Sequence, residues 1–448
     1  MPIEITLEEF PCHTQHVVLA VFGYCLTRTH FLQPVWDTLT WPIKTREHRP
    51  FEKLQDVVVN ILAGNPCLSH INTRLRPDLA LAAAWKRQQF AEQSNIAKML
   101  DDLTPSQITQ LREGIQQLFL RHSQTGHHDF DQGWLMVDID LTGLRASKQA
   151  EGSEKGYFSD GRNHYGRQLV RVSIPTYHET LFSRLYPGNQ VGNWTVKPTI
   201  QAVQTLLSLT PEQRCRTIIR SDAGLGTDEN VNWLLWQRYH VLMKGYSGSR
   251  AKSLAARLTD DTVWLDASGQ GQRWIAWAVA PPRFGRHMNV FLLRWPGKQG
   301  YHYATLLSTL EQRPPVQTWN AYDGRGAAEV EIKADKQGLR LPRRRKRSFA
   351  AQEALILLTD LAHNLLSWLH HGVLEQTAFA DFGAYRIVDE LFAIPGTVEL
   401  KEGKLQKVAL LKTHPYADPM RQIVHDLLDF FCNPVIFVQK SPWATLNP

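Results

Sequence analysis

The sequence is poor in cysteine and has no cysteine pattern typical of a metal or disulfide site. Its 448 residues include five cysteines, which are far apart and form no C-x-x-C pair: Cys12, Cys25, Cys67, Cys215 and Cys432. This spacing argues against a disulfide framework and against a structural zinc site. We therefore expect reduced thiols in a cytoplasmic protein.

Long uninterrupted apolar runs are also missing. The N-terminal ten residues contain acids and no basic segment followed by an apolar core, so they do not resemble a secretory signal. The most apolar stretch, residues 354–372, is interrupted by Asp360, His363 and Asn364. It predicts a buried helix, and we expect no membrane partner.

The composition is that of a globular chain with a basic surplus. Hydrophobic residues make up 43% and charged residues 21%, and the formal net charge is +7. A chain of this length should form several domains. The sign of the charge favours a polyanionic partner, although charge alone does not choose between nucleic acid and membrane.

Hydrophobic periodicity divides the chain into five regions. Helical spacing dominates the first part, and strands then alternate with helices, which predicts an α/β fold with a mixed sheet. Short strand patterns separated by Gly and Pro follow, and the last region combines a hairpin around Glu402-Gly403 with a helix. The predicted regions are a helical domain (1–128), the first part of an α/β core (129–245), a β-rich insertion (246–316), the second part of the core (317–378) and a small α+β C-terminal unit (379–448).

Two aspartates stand at the ends of apolar strands. Asp140 closes the strand that begins near Trp134, and Asp222 closes another and is followed by glycines. A carboxylate in such surroundings is costly unless a metal or a partner compensates it, and functional groups of α/β folds gather at strand ends. Asp138 lies on the same face of its strand as Asp140 and is the alternative metal ligand.

A third acid belongs to a polar stripe. Tyr322, Arg325, Glu329 and Lys336 stand at offsets of 3, 7 and 14, which on a helix leaves the four side chains within roughly 60° of one another. The stripe supplies a carboxylate for a metal and two cations for phosphate oxygens. An exposed, merely solvated helix face is the alternative interpretation.

Together these residues suit phosphoryl transfer. Three carboxylates, Asp140, Asp222 and Glu329, are enough to hold two divalent ions about 3.5–4 Å apart, one for each side of a phosphodiester. Mg²⁺ is the expected cofactor, with Mn²⁺ as a substitute.

These residues resemble the bacterial insertion-sequence DDE transposases that carry a tyrosine-arginine-glutamate-lysine signature. The signature spacing is met by the stripe beginning at Tyr322, and the segments Arg220-Ser-Asp222-Ala-Gly224 and Asp140-Leu-Thr142 match the surroundings of the family's two aspartates. Thr142 favours Asp140 over Asp138 as the first ligand.

The resemblance implies a ribonuclease-H-like core interrupted by the β-rich insertion, and an N-terminal domain that binds DNA. It implies two Mg²⁺ ions held by the three acids, and Tyr322, Arg325 and Lys336 positioning the DNA strand. The activity would be cut-and-paste transposition in the bacterial cytoplasm, near the nucleoid. The partners would be the terminal inverted repeats and target DNA, bound by a homodimer.

A basic run follows the stripe. It is a candidate for gripping DNA phosphates, or else a solvated connector, and it consists of Arg343, Arg344, Arg345, Lys346 and Arg347. Two rival functions are a ribonuclease-H-like nuclease or resolvase that cuts without joining, and a domesticated DNA-binding protein. Loss of a carboxylate would mark the latter, and all three acids are present.

Overall fold

The structure is a computed structural model that describes residues 10–41, 47–158, 161–281, 283–298, 300–311, 313–324 and 337–432. The described chain divides into two compact units. Residues 10–122 and 337–432 form the first, and residues 123–324 form the second. No helix in these ranges is both long and apolar enough to cross a membrane.

The helices, in chain order, are α1 (Val17–Arg28), α2 (Gln33–Asp37), α3 (Pro50–Leu62), α4 (Leu79–Ala84), α5 (Gln93–Asp101), α6 (Pro105–His122), α7 (Val196–Leu206), α8 (Pro211–Arg214), α9 (Asp228–Trp236), α10 (Gly248–Ala255), α11 (Pro315–Asp323), α12 (Phe349–Leu369), α13 (Ala384–Arg386) and α14 (Ala417–Cys432).

The strands are β1 (His13–Thr14), β2 (Leu135–Arg145), β3 (Glu154–Phe158), β4 (Gly161–Ile174), β5 (Glu179–Pro187), β6 (Thr217–Ser221), β7 (His240–Lys244), β8 (Leu265–Asp266), β9 (Trp274–Trp277), β10 (Asn289–Gly297), β11 (Gly300–Ser308), β12 (Gly396–Lys401) and β13 (Lys404–Leu410).

The second unit is built on one mixed sheet, as the alternation of strands and helices predicts. The strand order is β3-β4-β2-β6-β7-β11-β10-β9-β8, and β5 pairs with β4. The central strands β2, β6 and β7 are parallel to one another, whereas the pairs on either side of them are antiparallel. The α/β fold with a mixed sheet is therefore confirmed.

The central strands are buried because both of their faces are covered. Leu135 to Ile139 at the start of β2 and all five residues of β6 are buried, which is typical of parallel strands packed between layers. On one face Met136, Ile218 and Leu242 form a core with Trp319 and Tyr322 of α11. Helix α11 therefore packs on the sheet.

The β-rich region extends this sheet. Strand β11 pairs with β7 through Leu306 opposite Lys244, and β10, β9 and β8 continue outward by antiparallel pairing. Helix α10 precedes these strands. The region is thus a lateral extension of the sheet that carries the two aspartates.

The first unit joins N-terminal helices to the C-terminal part of the chain. Helix α12 contains most of the apolar stretch 354–372, for which a buried helix is predicted; it contacts α3, α5 and α6 and is buried along most of its length. The predicted hairpin is confirmed: β12 and β13 pair around Glu402 and Gly403, which have φ of 52° and 71°. Such positive values at both central residues match the twist of a tight hairpin.

Candidate active site

Asp140 and Asp222 lie side by side where the parallel pairing of β2 with β6 ends, at Ile139 opposite Ser221. Asp222 directly follows β6. Asp140 does not close its strand as predicted, because β2 continues to Arg145 by pairing with β4. Neighbouring strands are about 4.8 Å apart. The two carboxylates therefore project from adjacent positions, and both are accessible: Asp140 is half-buried and Asp222 is exposed.

The two acids also share a face. Side chains alternate along a strand, so Asp140 lies on the same face as Met136, and Asp222 on the same face as Ile218. Met136 and Ile218 belong to the core that contacts α11. The carboxylates thus stand at the edge of the face that α11 covers.

Asp138 is on this face too, but it is committed to a buried ion pair. It is 2% exposed and accepts two hydrogen bonds from the Arg220 guanidinium, at 2.6 and 2.7 Å. A bidentate charge-assisted pair in a dry interior is strong and costly to break. Asp138 and Asp140 therefore have different surroundings, since Asp138 is buried and Asp140 is half-buried.

Arg220 links three elements of the site. Besides Asp138 on β2, its guanidinium donates a 2.6 Å hydrogen bond to the Ala321 carbonyl near the end of α11. Arg220 itself lies on β6, two residues before Asp222. The buried guanidinium therefore fixes the end of α11 against the two strands that carry the aspartates.

The loop after Asp222 is shaped by close backbone contacts. The Gly224 amide donates to Asp222 Oδ1 at 3.0 Å, which orients the carboxylate. A Cβ at Gly226 would lie 2.1 Å from the Lys244 carbonyl oxygen, so only glycine fits there. The predicted role of the glycines, to let the chain leave the sheet beside the acid, agrees with this geometry.

Of the predicted polar stripe, Tyr322 lies within the described residues. It is 3% exposed, and its hydroxyl donates to the Ser221 carbonyl at 3.4 Å. Helix α11 ends one residue later, at Asp323. The other stripe residues, Arg325, Glu329 and Lys336, lie outside the described residues.

Lys244 lies beside Asp222 in the sheet, although its sequence context did not single it out. Strand β7 pairs with β6 as far as Met243 opposite Ser221, so Lys244 follows at the same level as Asp222. Its ammonium lies 5.2 Å from the centre of the Tyr322 ring. The only signal in the sequence is a lysine at the end of an apolar strand, which does not reveal its neighbours.

The basic run after residue 342 belongs to the first unit, and two of its members point inward. Arg344 is 3% exposed and donates to the carbonyls of Asn65, at 2.9 Å, and Leu339; burial lowers the pKa of Arg344 to about 9. Lys346 Nζ contacts Asp101 Oδ2 at 2.6 Å. These two cations are structural contacts of their unit.

The other three arginines of the run are exposed: Arg343, Arg345 and Arg347. Arg343 ends a short 3-10 helix, and the backbone of Arg344 after it is extended. This exposed set is the part of the run that a DNA backbone can reach.

Comparison with known proteins identifies the group. The chain matches the family described as Transposase DDE domain group 1 over residues 40–430. Comparison with curated proteins gives no match. Among solved structures, the chain is similar to a piggyBac transposase, seen by cryo-EM in a synaptic complex with hairpin DNA, at 9% identity and a TM-score of 0.45, covering 93% of this chain and 79% of that one. Because the family match spans most of the sequence, this chain belongs to the DDE transposases of domain group 1, enzymes that cleave DNA and transfer its strands.

Proposed function

We propose that this transposase moves an insertion sequence by cut-and-paste transposition, with Asp140, Asp222 and Glu329 as its metal ligands. The observation that carries the proposal is the placement of Asp140 and Asp222 in adjacent positions where the pairing of β2 with β6 ends, on the face covered by α11. Hydrolysis at the end of the element would free a 3′-hydroxyl, which then attacks target DNA.

A ribonuclease-H-like arrangement of the core is part of the proposal. The strand order β5-β4-β2-β6-β7 supports it, because three antiparallel strands are followed by two parallel strands that are reached through helices. Strands β8 to β11 would then be the β-rich insertion between the second and third acids. We also propose that residues 1–128 form a DNA-binding domain. Of the predicted second part of the core, 317–378, helix α11 packs on the sheet, whereas α12 packs on α3, α5 and α6 of the first unit.

The donor set fits a hard divalent cation. DDE transposases use divalent metal ions, and carboxylate oxygens are the ligands that Mg²⁺ prefers. The described residues hold no group of three metal-binding side chains, and the proposed third ligand, Glu329, lies outside them. Two Mg²⁺ ions at these acids, or Mn²⁺ in their place, would supply positive charge to the attacking and leaving oxygens.

The protein's own residues would hold the DNA strand and the helix that completes the site. The Tyr322 hydroxyl and the Arg220 guanidinium fix the end of α11 to β6, so the residues that follow start beside the aspartates. Arg325 and Lys336 would bind phosphate oxygens. We assign Asp140 rather than Asp138 as the first ligand, because the Asp138 carboxylate is bound by Arg220.

The proposed partners are double-stranded DNA at the terminal inverted repeats and at the target, bound by a homodimer. The exposed arginines of the run from Arg343 to Arg347 would add phosphate contacts. We place the enzyme in the bacterial cytoplasm, at the nucleoid.

The test is Mg²⁺-dependent cleavage of a duplex that carries the element's end. Asp222→Asn and Glu329→Gln should each reduce cleavage more than about 100-fold, because several kcal/mol of charge stabilisation is lost. Glu331→Gln, a neighbouring acid outside the signature, is the control and should cut like the wild type.

Joining is measured separately, as transfer of a labelled 3′ end into plasmid DNA. Joined product is expected from the wild type and not from Asp222→Asn. Cleavage without joining would instead identify a nuclease or resolvase. If Asp222→Asn and Glu329→Gln cut as well as the wild type, the assigned ligands are wrong.

A further inference from the structure

The third parallel strand brings a cation to the row of carboxylates. Strands β2, β6 and β7 are in register, so Asp140, Asp222 and Lys244 occupy equivalent positions one residue beyond the last paired row. Leu242, two residues before Lys244, belongs to the core against α11. Lys244 therefore projects from the same face as the two aspartates.

Two aromatic rings of α11 position this ammonium. Lys244 Nζ lies 5.2 Å from the centre of the Tyr322 ring and 5.9 Å from that of Trp319. Both rings are nearly fully buried. A cation over an aromatic face is attracted to it, so the rings limit where the lysine head can lie.

A fixed ammonium beside two carboxylates is more than packing requires. An apolar residue would fill the space over the two rings at no electrostatic cost, whereas a lysine adds a point charge at the level of Asp222. In a site that handles a phosphodiester, a point charge of this kind binds a non-bridging phosphate oxygen. Lysine supplies that contact without the fixed two-pronged geometry of arginine.

We propose that Lys244 contacts a phosphate of the DNA strand bound at Asp140 and Asp222, with Trp319 and Tyr322 holding its ammonium in place. This assignment rests on the proposed function of the site. Strand β7 would then be the third strand that contributes to the site. The buried Tyr322 would act indirectly, by holding the lysine that contacts DNA.

The experiment measures binding of the full-length protein to a duplex carrying the element's end, between about 50 and 200 mM salt. Each neutralised phosphate contributes about 0.9 to the slope of log affinity against log salt. Lys244→Met should lower the slope by about 0.9, and Lys244→Arg should restore it. The control is Lys252→Met, at an exposed lysine of α10, which should leave the slope unchanged.

A purely structural role predicts other results. Lys244→Met would then lower the midpoint of urea unfolding while leaving the salt slope at the wild-type value, and that outcome overturns the proposal. If Lys244→Met does not fold, Lys244→Gln is measured in its place against the same prediction.

Cleavage separates this proposal from the proposed function. At saturating DNA, Lys244→Met should cut at least about tenfold more slowly than the wild type, as expected for a lost charge-assisted contact. If the wild type itself does not cut with Mg²⁺, the proposed function fails, and the salt slope still decides the Lys244 contact. If the wild type cuts and the Lys244→Met slope is unchanged, only the Lys244 proposal fails.

Discussion

At the scale of single residues, the two acids of β2 show how one strand face can carry two different tasks. Asp138 is sealed in the core by the Arg220 guanidinium. Asp140, two residues on in the same strand, is half-buried and lies next to Asp222. A buried ion pair contributes to the arrangement of the elements, whereas an accessible carboxylate next to a second one is suited to binding a cation.

Substitution of Asp138 should therefore affect stability, and substitution of Asp140 should affect cleavage. Asp138→Asn leaves the Arg220 charge buried without its partner and should lower the free energy of unfolding by about 3–5 kcal/mol. Asp140→Asn should keep the wild-type stability and lose more than about 100-fold of the cleavage rate. Urea unfolding and cleavage of the element's end measure the two effects. A stable Asp138→Asn protein that cannot cut, beside a cutting Asp140→Asn protein, would reverse the assignment.

The sequence predicts these residues only as far as local patterns reach. Apolar runs that are followed by an acid are visible in the order of residues, so Asp140 and Asp222 are predictable as candidates, although β2 continues past Asp140. That Arg220 binds Asp138 depends on β2 and β6 being neighbours, although they are some eighty residues apart. Lys244 was missed for the same reason: its strand is recognisable, but its position beside Asp222 is a property of the sheet.

At the scale of elements, the basic run at residues 343–347 divides its charges between two directions. Arg344 and Lys346 bind carbonyl and carboxylate oxygens of their own unit, while Arg343 and Arg345 are exposed. The number of basic residues in the run is therefore larger than the number of cations that DNA can contact. The sequence alone does not reveal which of these side chains face the protein.

Neutralising the exposed arginines should change DNA binding, whereas neutralising the buried Arg344 should change stability. The double variant Arg343→Gln/Arg345→Gln should reduce the salt slope of DNA binding by about 2 and leave the urea midpoint unchanged. Arg344→Gln removes hydrogen bonds to two buried carbonyls and should lower the free energy of unfolding by about 1–3 kcal/mol. An unchanged slope in the double variant would make the run a solvated connector.

Other elements show where periodicity succeeds and fails. The hairpin at β12 and β13 was predictable because Glu402-Gly403 is a strong turn signal between two alternating runs. The short strand patterns of 246–316 predict a β-rich region, but the first of its strands, β8, has only two residues. Short edge strands depend on pairing with a partner, which local sequence does not encode.

At the scale of the whole molecule, one chain builds two units, and the first is made of distant segments. Helix α12 packs on α3 and α6, so the N-terminal helices depend on residues that follow the second unit in sequence. The second unit is continuous from residue 123 to 324. Its stability rests on the large sheet, in which β7 occupies a central position.

The start of β7 should make this sheet sensitive to acid. His240 is buried, bonded to Thr309 Oγ1 at 3.0 Å and packed edge-on against Trp134. Burial, with Arg286 nearby, lowers the pKa of His240 to about 4 from an ordinary value of 6.5. Because the folded state favours the neutral ring, the stability it contributes is present above pH 6.5 and is lost as the pH falls from 6.5 towards 4.

Between pH 7 and pH 5 this single group should reduce the free energy of unfolding by about 2 kcal/mol. Urea unfolding of the full chain at the two pH values measures this loss. The variant His240→Gln keeps a polar partner for Thr309, and its free energy of unfolding should fall by about 2 kcal/mol less than that of the wild type over the same pH range. His302→Gln, at an exposed histidine of β11, is the matched control and should follow the wild type. If His240→Gln and the wild type lose equal stability, acid sensitivity does not arise at β7, and the sheet that carries Asp222 and Lys244 is held independently of this ring.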